Sequence, residues 1–519
     1  MSSSALLAEP ASPNTPTSAG RFGGKGIGLF ASIALTVNNI SGAGMLEFPQ
    51  MFQRSGLLPS LASLGLVCVV STLFATTLAD TVARIPHNKH FNRRIEFSDV
   101  FEQYIGRRTA MLTQAVFFLN LLSQNLAAIV ACSQMFDSFA GSFVPGTTYA
   151  FRVSPAPRVW VQWDPTRCSA TDHDDDPGAA CVPFASEGED ALLISAGYIA
   201  TLVLLAPLGL LTLEENMLQQ KFSFVALFVL TGEFLIAFCS TGLSSGSLPM
   251  VGNHWSDALG VVIFNFAFCV TVPSWLNEKA PRVGVNRVFW TSTVTSTLLY
   301  TAVGVLGALA FPSAPENMLS VMLSDKVSVV TRVCATLFGV VIIGFGIPIF
   351  CVIMRYNLVS GGLCSEPWAH FWSSVLPWST AWTLYQGSVT LKLLSWSGLV
   401  LNGFIDFLMP GFVTLVSLGV AHRAVRGCRS CYAVHAAEDA PTVDASSKDE
   451  EGGRAPRSSD EEALPPLAFS TPIAPFPSWL RPYYAEIVAG MVLFLLVLLP
   501  VAFWFQVYCA GSKVCYPDA

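Results

Sequence analysis

A short polar run interrupts the first long apolar segment of the chain: Asn38, Asn39, Ser41, Gly42, Ala43 and Gly44, followed by Glu47 and Pro49. Apolar residues flank it from Gly28 to Val37 and again from Leu57, so the interruption falls at membrane depth. Irregular backbone is costly in lipid and persists only where it lines a protein-walled cavity. The chemistry on offer there is recognition by the main chain. Free N–H groups at the start of a half-helix favour a carboxylate, and free C=O groups at the end of the other suit a cation or an ammonium. A zwitterionic amino acid fits both ends. Gly42 and Gly44 permit the turn and a close backbone approach.

A second interruption lies between Ile263 and Trp275, where Asn265, Ala267, Cys269 and Thr271 alternate with Phe264, Phe266 and Phe268, and Pro273 removes a backbone donor. The phenylalanines could gate a pocket or simply pack. Glu47, Glu233 and Asp406 are acids that fall within apolar segments, and intramembrane carboxylates are functional candidates by default. Glu47 lies one turn past the first break, close enough to titrate as substrate or ions arrive; the competing role is a solvated residue at a water-filled mouth. Glu233 and Asp406 could instead hydrogen-bond neighbouring helices. Asn120, Gln124 and Asn125 form a polar patch with the same two options.

These residues must be positioned by membrane helices. The chain has 519 residues, 52% hydrophobic and 12% charged, with mean hydropathy +0.54. Soluble domains carry about 25% charged residues, so the composition indicates an all-α polytopic membrane protein. Windows of about 20 apolar residues predict eleven helices, near 27–53, 56–83, 109–139, 190–213, 219–242, 257–276, 286–311, 328–356, 367–386, 390–420 and 482–508. The breaks fall in helices 1 and 6, five apart, and matching interruptions in two halves point to a transporter site at the midplane. The domain plan is a disordered cytoplasmic tail (1–24), a core (25–425) with a non-cytoplasmic loop at 140–189, a largely disordered cytoplasmic linker (426–480), helix 11 and a non-cytoplasmic tail (509–519). Arg84, Lys89, Arg93, Arg94, Arg107 and Arg108 mark the loop after helix 2 as cytoplasmic, and the clusters at Lys279, Arg355 and Arg423 agree. The N-terminus is then cytoplasmic and the C-terminus is not.

Four of the thirteen cysteines, Cys168, Cys181, Cys509 and Cys515, fall on the non-cytoplasmic side. Nearest-neighbour pairing gives Cys168 with Cys181 and Cys509 with Cys515, one of three connectivities, and the first pair is the expected disulfide. Cys428 and Cys431 are open to palmitoylation or remain free thiols. The net charge of −7 comes from solvated acidic runs such as Asp172 to Asp176. Trp368, Trp372, Trp378 and Trp382 are expected to form an interfacial belt around helix 9.

The run Asn38 to Pro49 with Gly56 resembles the first-helix signature of the amino acid/auxin permease family, and Val272-Pro273-Ser274-Trp275-Leu276-Asn277-Glu278 is similar to that family's closing Pro and N-E pair. Gly304 to Phe311, Gly346-Ile347-Pro348 with Arg355, and Asn402 to Pro410 match later blocks, so the resemblance covers most of residues 27–508. Glu47, where members usually carry a small or apolar residue, departs from the pattern. The resemblance implies a secondary amino acid transporter of the LeuT-like five-plus-five inverted-repeat fold with one extra helix. It assigns Asn38, Ser41, Gly42, Ala43 and Gly44 to the substrate and ion region of helix 1, and Phe264, Phe266, Phe268 and Thr271 to helix 6. The expected ligand is an amino acid, neutral because no Arg or Lys stands in the breaks. Coupling is expected to a proton, since Gly344 to Pro348 supplies no hydroxyl for the helix 8 half of a sodium site. Asn38, Glu47, Asp406 and Glu233 are the coupling candidates. No cofactor, metal or nucleic acid is called for. The membrane is the plasma membrane or a vacuole- or lysosome-like one. A sensor that binds an amino acid without transporting it, separable by flux, and a sodium-coupled carrier are the alternatives.

Overall fold

The computed structural model describes residues 23–143, 148–154, 159–163, 183–184, 192–252, 254, 257–311, 314, 318–323, 327–384, 398–427 and 473–504. The expectations for the extreme N-terminus, for most of the linker and for the chain after Trp504 fall outside these residues, as do Cys428, Cys431 and the acidic run from Asp172.

Backbone in lipid must bond to itself, and the apolar segments do so as helices. Among the described residues eight are long and apolar enough to cross a membrane, or nine if one bent pair is a single span. That pair is helix 1, split into helix 1a (Leu29–Ile40) and helix 1b (Phe48–Ser55) with a 3-10 turn Ala43–Glu47 between them. Helix 2 (Leu57–Ala83), helix 3 (Arg107–Phe143), helix 5 (Met217–Thr241) and helix 7 (Val285–Ala310) are continuous. Helix 8 runs from Val329 to Ser360 through a wide π-type turn at Phe338–Ile343. Helix 10 starts with another such turn, Gly398–Leu408, and continues as Met409–Gly427 before helix 11 (Tyr484–Trp504). Two expected spans are shorter. Helix 4 is Ala196–Leu205 plus a 3-10 turn, and the ninth segment is three short pieces between Glu366 and Leu384. The apolar stretches of helices 6 and 8 are 78% and 72% buried, against 22% in helix 11. Helices 6 and 8 therefore form the centre and helix 11 the lipid-facing rim.

The segment from 190 was expected to be helical, yet Leu192–Ser195 is a strand, β3. It pairs with β1 (Thr148–Ser154), which also pairs with β2 (Val159–Trp163), giving an antiparallel sheet in the order β2-β1-β3. Ala150, Val161 and Leu193 turn inward, while Tyr149 and Trp160 point out. Ser195 then caps helix 4, its hydroxyl accepting from the Tyr198 N–H at 3.0 Å. Helix 4 lies so close to helix 3 that a Cβ on Gly197 would stand 2.4 Å from the Ser133 carbonyl oxygen.

Two expectations are corrected. The disulfide is not supported: no cysteine sulfurs pair among the described residues, whose seven cysteines are free. Of these, Cys68, Cys132, Cys269 and Cys351 are buried. Cys168, Cys181, Cys509 and Cys515 lie outside the described residues. The tryptophan belt reduces to Trp368 and Trp372. Trp378 is buried, and the Trp382 indole donates to the Leu193 carbonyl at 3.0 Å, so both pack against the β3–helix 4 corner.

Candidate functional site

Helix 6 is broken like helix 1. Helix 6a (Asp257–Asn265) stops, Phe266 to Phe268 leave the helical path, and the turn Cys269–Thr271 leads into helix 6b (Val272–Glu278), with Pro273 in its first turn where no donor is missed. The halves of helix 1 bend by 51°. The two breaks face each other. A Cβ on Gly44 would lie 2.3 Å from Asn265 Oδ1 and 2.6 Å from Nδ2, and Asn39 Nδ2 reaches Thr271 Oγ1 at 3.5 Å. Gly42 differs from expectation. Its φ of −92° is ordinary and nothing lies within 4 Å of its would-be Cβ, so only Gly44 meets the close approach.

Four of the backbone groups at the breaks have side-chain partners. Tyr300 of helix 7 donates to the Ile40 carbonyl at 2.6 Å, and its ring is held between Phe48 (centroids 4.3 Å, stacked) and Phe266 (5.6 Å, edge-on). Ser71 of helix 2 donates to the Phe266 carbonyl at 2.7 Å. Thr271 Oγ1 donates to the Phe268 carbonyl at 2.8 Å. On the donor side, the Val270 N–H gives its hydrogen to Asp406 Oδ1 at 3.0 Å. Asp406 is fully buried on the wide turn of helix 10, and Asn120 of helix 3 approaches its other oxygen at 3.4 Å. A carboxylate thus sits at the N-terminus of helix 6b, where the peptide dipoles favour an anion.

Asn38 donates to the Gln220 backbone carbonyl at 2.8 Å and to its side-chain Oε1 at 2.9 Å. Gln220 in turn donates to the Phe345 carbonyl of helix 8 at 2.9 Å. An amide therefore bridges helix 1a to helix 8 through helix 5. Asn38 Oδ1 is buried and accepts no hydrogen bond from the described residues. Ser41 lies 3.4 Å from Ser296 of helix 7, and Ala43 opens the 3-10 turn.

The remaining candidates separate. Phe266 and Phe268 are buried against Tyr300 and Phe289, so they pack on helix 7, while Phe264 is half-buried. Glu47 is half-buried at the entry to helix 1b. Glu233 accepts from Thr331 at 2.7 Å at the start of helix 8, a junction between helices 5 and 8 that includes neither break. Gln124 bonds Asn402 at 2.7 Å and Asn125 bonds Cys351 at 3.3 Å, so the helix 3 patch ties helices 10 and 8. Tyr300, Ser71, Gln220 and Ser296 were not anticipated. Their only sequence signal is a polar atom in an apolar helix.

Residues 25–155 match the family model described as transmembrane amino acid transporter protein. Among curated proteins, the chain is 21% identical over 406 residues to vacuolar amino acid transporter 5 of Schizosaccharomyces pombe, covering 74% of this chain and 83% of that one. Among solved structures it is similar to Mhp1, a nucleobase-cation-symport-1 family transporter, in a closed conformation with bromovinylhydantoin bound. The TM-score is 0.51 at 11% identity, with 74% of this chain and 78% of that chain covered; at that identity the likeness concerns the fold. The resemblance to the amino acid/auxin permease family is borne out by these matches.

Proposed function

We propose that this chain, akin to the transmembrane amino acid transporters, carries neutral amino acids across a vacuole-like membrane by alternating access with proton coupling. The observation that carries the reading is the carboxylate of Asp406 on the Val270 N–H at the start of helix 6b, across from the helix 1 break. Those donors are where a substrate carboxylate would bind. Two carboxylates cannot share them cheaply, because like charges at close range repel strongly in a buried site. A proton on Asp406 removes its charge and frees the donors, so proton and substrate arrive together. Asn38 Oδ1 is the acceptor at hand for the substrate ammonium.

No Arg or Lys stands in either break, which favours a neutral side chain. Sodium is disfavoured because the Gln220 amide already spans helix 1a to helix 8. Glu47 would serve as the second proton group nearer the mouth, and Glu233 would hold helix 5 to helix 8 through Thr331. The full plan is eleven helices in two inverted repeats of five plus one, with the N-terminus cytoplasmic.

The test is uptake of a panel of labelled amino acids into proteoliposomes with an imposed pH gradient in sodium-free buffer. Gradient-driven accumulation of a neutral amino acid supports the carrier. Saturable binding with no flux, even with sodium restored, would replace it with a sensor.

A further inference from the structure

The end of helix 6b holds an ionic knot that the breaks do not use. The loop after helix 2 runs through Arg94 and Glu96 into a short helix, Phe97–Tyr104, which Glu96 caps reciprocally with Asp99. Glu96 is fully buried. Ser274 Oγ lies 2.5 Å from its Oε2, Asn277 Nδ2 2.9 Å from its Oε1, and Arg94 Nε 3.2 Å from the same oxygen. Arg94 also reaches Glu278 Oε1 at 3.2 Å, and its guanidinium lies 4.4 Å from the Tyr356 ring centroid. Glu278 is fully buried too and accepts from the N–H groups of Gly23 at 3.1 Å and Glu214 at 2.9 Å, with Tyr356 of helix 8 bonded to it.

Two enclosed carboxylates thus share one guanidinium. Among the described residues Arg94 is the ion-pair partner of both. The other charges around the knot do not repair the imbalance: Asp99 and Glu102 lie on the short helix, and Glu214 precedes helix 5. Lys25 donates to the His90 and Phe91 carbonyls, Lys279 donates to the Val283 carbonyl over the Phe91 ring, and Arg355 is bound to the Gly209 and Leu211 carbonyls. Ser274 lets either charge state be satisfied, because its hydroxyl donates to an ionised Glu96 or accepts from a protonated one.

We propose that Glu96, Arg94 and Glu278 form a proton-operated latch that holds helix 6b against the 94–104 segment, shut when a proton neutralises the surplus carboxylate and loosened when that proton leaves. Its consequence for transport rests on the alternating-access reading above, whereas its geometry and its test do not. Burial pushes the Glu96 carboxyl up from 4.5 to about 7, against the pull of Arg94 and Ser274. The docked form therefore binds its proton more tightly than an exposed glutamic acid. Docking is fully supported below the ordinary value and is lost as pH rises through about 7.

The test is hydrogen–deuterium exchange on the purified full-length protein in nanodiscs from about pH 5.5 to about 8.5, corrected for intrinsic exchange. Residues 94–104 and 272–279 are expected to lose protection together by roughly tenfold, with a midpoint near the Glu96 value. Glu96→Gln, which mimics the neutral acid, should stay protected throughout. Glu278→Gln should lower the midpoint by about one unit, since it removes the competing charge. Exchange that ignores pH in the unaltered protein, or an unchanged midpoint in Glu96→Gln, would overturn the latch. An unchanged midpoint in Glu278→Gln would overturn the shared guanidinium. Neither outcome bears on whether the protein transports.

Discussion

Gly44→Ala is the smallest change that asks whether the two breaks must touch. The added Cβ would meet Asn265 Oδ1 at 2.3 Å, Nδ2 at 2.6 Å and Cγ at 2.8 Å, where ordinary contacts begin near 3.4 Å. The amide must retreat by about 1 Å, but Asn265 is buried and tied to the Val261 carbonyl at 2.8 Å. Overpacking of this kind costs about 1–3 kcal/mol, and giving up the tether costs about 1 kcal/mol more. The arrangement with the two breaks in contact should lose about 2–4 kcal/mol, or roughly 30- to 800-fold in its population. Open arrangements, in which helices 1 and 6 part, escape the penalty. Uptake by Gly44→Ala in proteoliposomes should therefore fall by at least about tenfold, while the protein still elutes as a single species. Asn265→Ala makes room for the methyl group, so the double variant should recover most of the loss, a coupling visible in a double-mutant cycle. Full uptake by Gly44→Ala, or a double variant no better than the single, would refute the contact between the breaks.

Other outcomes follow from the same geometry. Asp406→Asn keeps an acceptor for the Val270 N–H but cannot be charged, so uptake should lose its dependence on the pH gradient; a retained gradient dependence would return the coupling role to Glu47. Tyr300→Phe removes the hydroxyl on the Ile40 carbonyl while leaving the ring stack, and should lower stability by about 1–3 kcal/mol, read as an earlier thermal transition. Gln220→Ala severs the bridge from helix 1a to helix 8 and should reduce uptake, read as a lower initial rate in the same proteoliposome assay. Gly197→Ala drives a methyl group into the Ser133 carbonyl and should cost about 1–3 kcal/mol of stability, with the pH dependence of any remaining transport unchanged.

Much of the plan was legible because lipid is an unforgiving solvent. A glycine, an asparagine and a serine in one apolar segment have few physical excuses, and the run from Asn38 to Gly44 and the one around Asn265 both turned out to be breaks. That Gly44 and not Gly42 carries the close contact could not be read, since both fit the same local turn and only the position of Asn265 decides between them. Tyr300, Ser71 and Gln220 were invisible for a related reason: each acts on a segment far away in sequence, and periodicity within one helix says nothing about which carbonyl lies opposite. Asp406 was noticed as a carboxylate in an apolar helix, but its partner on the Val270 N–H depends on the wide turn of helix 10, which no local residue announces. The strands at 148–163 carried a readable signal, with Val159, Val161 and Trp163 alternating with polar or exposed positions. The acidic stretch that follows, from Asp172, masks this signal because it has the composition of a solvated loop.

The partners already in place at the breaks change what binding means. Tyr300, Ser71, Thr271 and Asp406 leave no debt at these positions for a substrate to settle. An arriving amino acid must exchange its own hydrogen bonds for existing ones, and such trades return little net free energy per bond. Affinity should accordingly be modest and dominated by the side-chain fit. On the proposed mechanism, the barrier to reorienting without substrate is then set by the charge on Asp406 and not by unsatisfied backbone at these four positions.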